Sequence, residues 1–403
     1  MEILETQSGR KKIVYFHRYA IEDEANQFPG LRVLLSVLKK QYEVVYVSMR
    51  GRQSPDRELR KDLKIMEIPL TIIPSIGWNK WIKTILYYLF LPWTLARLRQ
   101  LQPALIICKE PLPFVPSVVS RLKIPTLIEI GDWWWSIFLG KGVKGKQLAQ
   151  WIERHEIKDW AQGNTLAIFH TQSEFDLMRD SGFPLERLRK LKASHHDEVY
   201  FSCDASTERK RLNFSSEDWV VVVHGIMHPS KGYEQILTWW KQLVLEHPNW
   251  KLLMIGGASN EKTYQTLVKN LHLEKQVIFA GWLPTQNVVN RYLNVADCLL
   301  VTRRNSPENR GVIPSALNHS LALGKPVVAT GLPGMSEVIH HGENGYLYEP
   351  DNYESFKSVL ENIAKNPEQA LKVAQEGKKI LEEFFNTENF ALEFKMIIDR
   401  WLS

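Results

Sequence analysis

Several groups of residues in this chain have the types and spacing to hold an anion or handle a proton. The stretch from Asn309 to Thr330, NRGVIPSALNHSLALGKPVVAT, reads as a loop, a short helix and a buried strand. Pro314 can open the helix, Gly324 can close it, and Pro326–Thr330 is apolar and β-prone. A helix start leaves backbone N–H groups without intrahelical partners at the positive end of its dipole, a natural seat for phosphate. Here Gly311, Val312 and Ile313 would present such N–H groups, although Pro314 removes one donor. A second segment, HGIMHPSKGYEQIL from His224 to Leu237, ends a strand at Gly225 and opens a helix at Lys231-Gly232. Glycine lets backbone approach a ligand, and a lysine at a helix start is a point charge for phosphate. The loop RRNSPENR adds Arg303, Arg304, Glu308, Asn309 and Arg310, and His319 can donate to or accept from a hydroxyl. In the first half, Asp132 follows the apolar run PTLIEI, while His17 and Arg18 follow the first strand. Asp132 could orient a hydroxyl, act as a base, or cap a helix. Each residue also has a plain reading: a solvated lysine, a surface loop, a packed histidine.

These residues sit at the ends of a repeated pattern. In the first half, strands are expected at Ile13–Phe16, Val44–Val47, Leu105–Ile107, Thr126–Ile130 and Leu166–Phe169. In the second they fall at Val220–His224, Lys251–Ile255, Val277–Ala280, Cys298–Val301 and Pro326–Thr330. Helix-period segments separate many of them, among them Gly30–Lys40, Lys146–Trp160, Lys231–Glu246, Glu261–Leu271 and Thr285–Asn294. Repeated β-α-β order implies two doubly wound parallel sheets, an α/β architecture. The polar segment Ser202–Asp218 has little to bury, which places the boundary there: residues 1–205, 206–385, and a final helical tail 386–403.

A chain of 403 residues is too long for one ordinary core. Residues 1–205 carry 30 Lys and Arg against 23 Asp and Glu, whereas the rest carry 21 against 22. The basic excess of the first half could face anionic lipid or an anionic substrate. Its charges are scattered and no nucleic-acid motif accompanies them, so nucleic acid is not an expected partner. Cys108, Cys203 and Cys298 lack metal-ligand spacing and fit buried thiols in a reducing compartment. The N-terminal MEILETQSGRKK has no apolar signal core, which points to a cytoplasmic location. One segment departs from the β-α-β pattern: WNKWIKTILYYLFLPWTLARLRQL, Trp78 to Leu101. Its apolar stretch is too short to span a bilayer and Pro92 interrupts it. Aromatic and basic residues between Trp78 and Arg99 suit either a membrane interface or a core helix with snorkelling ends.

From residue 165 to 350 the chain resembles the donor-binding domain of the retaining GT-B glycosyltransferases, the group 1 family that includes glycogen synthases and bacterial mannosyltransferases. FHTQSEFDLMRDSGFP, ASHHDEVYF, HGIMHPSKGYEQIL, LLMIGGASN, VIFAGWLPTQNVVNRYLNVADCLLVT and GLPGMSEVIHHGENGYLYEPDN carry the likeness in order and spacing. The resemblance implies two Rossmann-like domains facing across a cleft, with the last helix crossing back to the first domain. It further implies transfer of a sugar from a nucleotide-diphosphate sugar to a hydroxyl acceptor, without a metal cofactor, as no Asp-x-Asp motif is present. Lys231 matches the family's phosphate lysine, and the Gly281 loop lies where the nucleotide base usually sits. Two departures stand out. The family arginine after Gly225 is Ile226 here, and the two glutamates of the E-x₇-E motif are replaced by Gly311 and His319.

The resemblance assigns the diphosphate to Lys231; on physical grounds the amides of Gly311–Ile313 could meet it too, and His319 could still bind the ribose in place of a glutamate. A loop arginine could stand in for the charge missing at Ile226, and Glu308 or Asn309 for the missing sugar contact. Glu337 would lie near the nucleotide or stabilise the N-terminus of its own helix. Asp132 corresponds to the aspartate of the family's acceptor-side strand, a base if the reaction inverts. His17, Arg18 and Trp133 would face the acceptor, a lipid-linked or cell-envelope glycan; Trp133–Trp135 could equally dip into lipid or fill core. A silent relative that binds nucleotide, membrane or a partner transferase is the competing expectation.

Overall fold

The computed structural model describes residues 9–17, 20–21, 30–49, 56–61, 63–68, 80–109, 114–129, 138, 142–192, 199–257 and 261–403. The chain divides into two units, Met1–Ser194 with Thr387–Ser403, and His195–Asn386.

The first unit is built on seven parallel strands: β1 (Lys12–His17), β2 (Glu43–Met49), β3 (Lys64–Ile68), β4 (Leu105–Lys109), β5 (Thr126–Glu129), β6 (Thr165–Phe169) and β7 (Leu188–Lys190). Their order is β3-β2-β1-β4-β5-β6-β7, so the winding reverses between β1 and β4. Runs such as KIVYFH and LIICK form central strands because both faces are covered. Val14, Phe16, Val45 and Val47 pack beneath the helices Lys80–Leu101 and Gly142–Gln162, through Tyr87, Leu98, Ile152 and Trp160. Their neighbours Ile13, Tyr15, Val44 and Tyr46 face the opposite layer, with Leu31 and Leu34 of the helix Gly30–Lys39. That layer includes Phe390, Phe394 and Ile398 of the C-terminal helix Thr387–Leu402.

The second unit has six parallel strands: β8 (Trp219–His224), β9 (Trp250–Ile255), β10 (Val277–Gly281), β11 (Cys298–Val301), β12 (Val327–Thr330) and β13 (Tyr346–Tyr348). Their order is β10-β9-β8-β11-β12-β13, with the reversal between β8 and β11. In open sheets of this kind, ligands bind beyond the carboxyl ends of the strands at that reversal.

Three features differ from expectation. Strands β3 (KIMEI) and β7 (LRK) have no counterpart in the pattern reading, because edge strands are short and charged. The break between units lies at Ser194/His195 and not at 205/206. Residues 201–218 are polar because hydrogen bonds hold them onto the second unit. Asn290 and Asn294 accept from the N–H groups of Phe201 and Cys203, and Arg209 donates to the carbonyls of Val295 and Asp218 at 2.7 Å. Finally, the helix Lys80–Leu101 continues through Pro92. One lost backbone bond is tolerated because Tyr87, Leu91 and Leu98 seat the helix in the core on either side.

Candidate functional site

In the second unit, Gly225 and Gly256 directly follow β8 and β9, Gly281 ends β10, and their backbones touch. Gly225 donates to the Ile255 carbonyl and Gly256 to the Gly281 carbonyl, both at 2.9 Å. Gly256 has φ +122°, and a Cβ there would fall 2.1 Å from the Gly225 carbonyl oxygen. No side chain fits, so the strand ends form a bare shelf. Lys231 closes a 3₁₀ turn, Pro229–Lys231, and its Nζ lies 4.0 Å from where a Gly225 Cβ would stand. Lys231, His224, Thr302, Arg303, Pro314 and Ala316 line one small pocket at the reversal point.

The loop after β11 is braced from beneath. Asn309, expected to touch the sugar, is buried and donates to the carbonyls of Ser230 and Arg304 and to Ser306 Oγ, all at 3.0 Å. Its Oδ1 accepts from Arg303 Nη1 at 3.4 Å. Asn309 therefore joins the Lys231 turn to the arginine loop and does not face outward. The Tyr348 hydroxyl bonds Thr302 at 3.0 Å and Thr330 at 2.6 Å, and Thr330 Oγ1 accepts the Arg303 N–H, so β11, β12 and β13 share one backing. Glu308 is half-buried, and Arg310 is exposed with its carbonyl accepting from Gly334.

The helix of the motif runs Ser315–Ala322, and Pro314 caps it in extended geometry. Val312 turns its N–H back to Asn309, at 3.4 Å. A Cβ on Gly334 would come within 2.6 Å of Gly311, so Gly334 is needed where Gly311–Ile313 passes the next helix. That helix is Pro333–Ser336, which Glu337 follows as C-cap; the expectation that Glu337 stabilises a helix N-terminus is corrected.

His319 is more enclosed than expected. Its Nδ1 lies 3.3 Å from His224 Nε2, and its ring stacks on Tyr200 at 3.9 Å. Tyr200 in turn bonds Gln286. Burial, then the charge of Lys231, depresses His224 to about 3; burial, then His224, holds His319 well below the usual histidine range. The pair is neutral at physiological pH, one ring donating to the other. A histidine alone at the end of VVVVH was the available signal for His224. Both groups must charge on unfolding, so their contribution is intact above the ordinary histidine pKa of about 6.5 and falls as pH drops below it. Wild type should lose roughly 1.4 kcal/mol per histidine per pH unit below about 6.5, and His224→Gln should flatten that share of the profile. Melting temperature against pH, variant minus wild type, measures it.

On the first unit, His17 ends β1 opposite Lys109 and is buried. Lys109 Nζ lies 3.0 Å from Glu129 Oε1 inside the core, and His170 Nε2 lies 3.4 Å from the same oxygen. Pattern reading did not single out these three charged residues at strand ends. Arg18, Asp132 and Trp133, with Trp134, Trp135 and Trp78, lie outside the described residues.

Residues 204–380 match the family described as Glycosyl transferases group 1. The chain is 26% identical to N-acetyl-alpha-D-glucosaminyl L-malate synthase of Bacillus anthracis over 50% of each chain. It is 24% identical to the lipopolysaccharide core biosynthesis glycosyltransferase LpsE of Rhizobium meliloti, over 45% of this chain and 50% of that one. It thus spans about half the length of these relatives. In fold it is similar to Anabaena HepE, solved with UDP and glucose, at a TM-score of 0.72 and 16% identity, covering 97% of this chain and 100% of that one. It is also similar to sucrose-phosphate synthase of Thermosynechococcus elongatus, at 0.75 and 16%, covering 97% and 99%. At that identity the likeness is one of fold.

Proposed function

We propose that the chain, whose residues 204–380 match the group 1 glycosyltransferases and whose fold is that of GT-B enzymes, moves a sugar from a nucleotide-diphosphate sugar to a hydroxyl acceptor. One observation carries the reading: Lys231 is held beside the glycine shelf at the sheet reversal, in the same pocket as the start of the helix Ser315–Ala322. In the transfer, the bond from the sugar's C1 to the diphosphate oxygen breaks while the acceptor oxygen bonds C1. Negative charge grows on the departing diphosphate, where Lys231 and the N–H groups at the helix start stabilise it. These groups supply the charge that a metal would otherwise bring. The departing phosphate takes the acceptor's proton, so the sugar's configuration is retained without a protein base. Arg303 lines the same pocket and stands in for the charge absent at Ile226, which is 56% exposed.

The test is nucleoside diphosphate release from a panel of UDP-, GDP- and ADP-sugars. Turnover of one donor with a retained product is the expected result. Nucleotide binding with no turnover of any donor would favour the silent binding protein, for which the uncharged His224–His319 pair is the supporting observation. An inverted product would move the base role to Asp132.

The acceptor reading is a lipid-linked or envelope glycan met at the cytoplasmic face of a membrane. Among the described residues no helix is long and apolar enough to cross one. The helix Lys80–Leu101 instead leaves Ile85 58% and Leu89 68% exposed one turn apart, with exposed Arg97 and Arg99 towards its end. Apolar side chains beside cations suit an anionic lipid surface. Flotation with vesicles containing phosphatidylserine should recover wild type and lose Ile85→Glu/Leu89→Glu; equal recovery would remove this contact from the account.

A further inference from the structure

We infer that Glu261 receives the ribose 2′- and 3′-hydroxyls of the donor nucleotide, taking over the contact that the His319 position does not make. The inference rests on the donor reading above. Glu261 opens the helix Glu261–Asn270 after β9, and its carboxylate folds back over the glycine shelf. Its Oε2 lies 2.9 Å from where a Gly257 Cβ would stand, and its Oε1 lies 4.0 Å from the corresponding point on Gly281. Gln265 Nε2 donates to Oε1 at 3.1 Å and fixes the carboxylate's direction. An acid in a first helical turn is often there for the dipole alone. Here the glycines beneath leave the carboxylate facing bare backbone, and a Cβ at Gly257 would make it shift from this position.

The shelf sets the spacing. Lys231 stands at the β8 end and Glu261 over the β9 and β10 ends. Neighbouring strands lie about 4.8 Å apart, so phosphate charge and carboxylate are separated by one to two strand spacings. A diphosphate joined to ribose bridges such a gap. The strand β8, its following helix and β9 form a β-α-β unit, and an acidic residue beyond the second strand of such a unit is placed to accept ribose hydroxyls. Two carboxylate oxygens match two vicinal O–H donors. His319 is committed elsewhere, its Nδ1 towards His224 and one face on Tyr200. Beyond Glu261, Trp282 is 72% exposed, and its Cβ is 3.8 Å from the Gly257 Cβ position, a flat apolar surface beside the ribose for the base.

Calorimetric titration of the full chain with UDP, GDP and ADP, each against its 2′-deoxy form, tests this. The ribonucleotide that binds should be preferred over its deoxy form by about tenfold, the worth of one charge-assisted hydrogen bond. Glu261→Ala should bring that ratio to about one, weakening the ribonucleotide more than the deoxy form, which loses only its 3′-hydroxyl contact, and Glu261→Gln should fall between. Equal ribo and deoxy affinity in wild type overturns the inference even if a variant fails to fold, as does a preference that survives in Glu261→Ala. A variant that changes the choice among bases while keeping the ribo preference would show that the carboxylate reads the base, and would also overturn it. Binding of none of the six nucleotides would overturn the donor reading and this inference together.

Discussion

Lys231→Ala lowers kcat/KM for the nucleotide-sugar donor by about 10²–10³-fold, with kcat carrying most of the loss. The argument starts from placement. The turn Pro229–Lys231 is held by His228, whose Nδ1 accepts the Ser230 N–H, and by Asn309 and Arg304, which both bond the Ser230 carbonyl at 3.0 Å. Gly232, at φ +76°, lets the chain turn directly into the helix Tyr233–Glu246. The ammonium is therefore preorganised where charge grows as the diphosphate leaves, and an interaction that strengthens in the transition state appears in kcat. Lys231→Arg should recover only part of the loss, since a planar fork does not reproduce a compact point charge. Steady-state kinetics with the active donor decide it. A rise in KM with kcat unchanged would mean that Lys231 only binds the ground state.

Lys109→Ala destabilises the first unit by about 3–5 kcal/mol, because Glu129 stays behind as a buried carboxylate whose remaining ion-pair partner among the described residues is His170. Among the described residues Glu129 Oε2 has no hydrogen-bond partner, so the lysine on Oε1 is the main compensation. Burial alone would raise this carboxyl, but Lys109 and His170 overcome burial and hold it at about 2. Its stabilising share is therefore present above the usual carboxylate range and is lost as pH falls through that range towards 2. Removing both charges with Lys109→Met/Glu129→Leu should recover most of the loss, as apolar replacements of buried ion pairs do. Urea denaturation of the two variants measures both effects. Equal stability of wild type and Lys109→Ala would show that the network contributes nothing.

The fold was legible where burial writes it plainly. Central strands such as WVVVVH and LIICK are apolar throughout because both faces are covered, and Lys231, Gly225 and Gly281 stood out as residues ending or following such runs. What escaped notice depends on contacts distant in sequence. The edge strand KIMEI looks like a loop until β2 pairs with it. Asn309 reads as a ligand contact, but its amide reaches Ser230, on the far side of three strands in sequence, and only the fold reveals that bond. His319 reads as a free hydroxyl partner until Tyr200 and His224 enclose it. The need for Gly256 and Gly334 comes from backbones that meet only in three dimensions.

A crystal structure of the chain soaked with the nucleoside diphosphate of its active donor is the most direct test of the donor site. The diphosphate should lie within hydrogen-bond distance of Lys231 Nζ and of the first backbone N–H groups of the helix Ser315–Ala322. A nucleotide bound with its phosphates away from Lys231 would contradict the account.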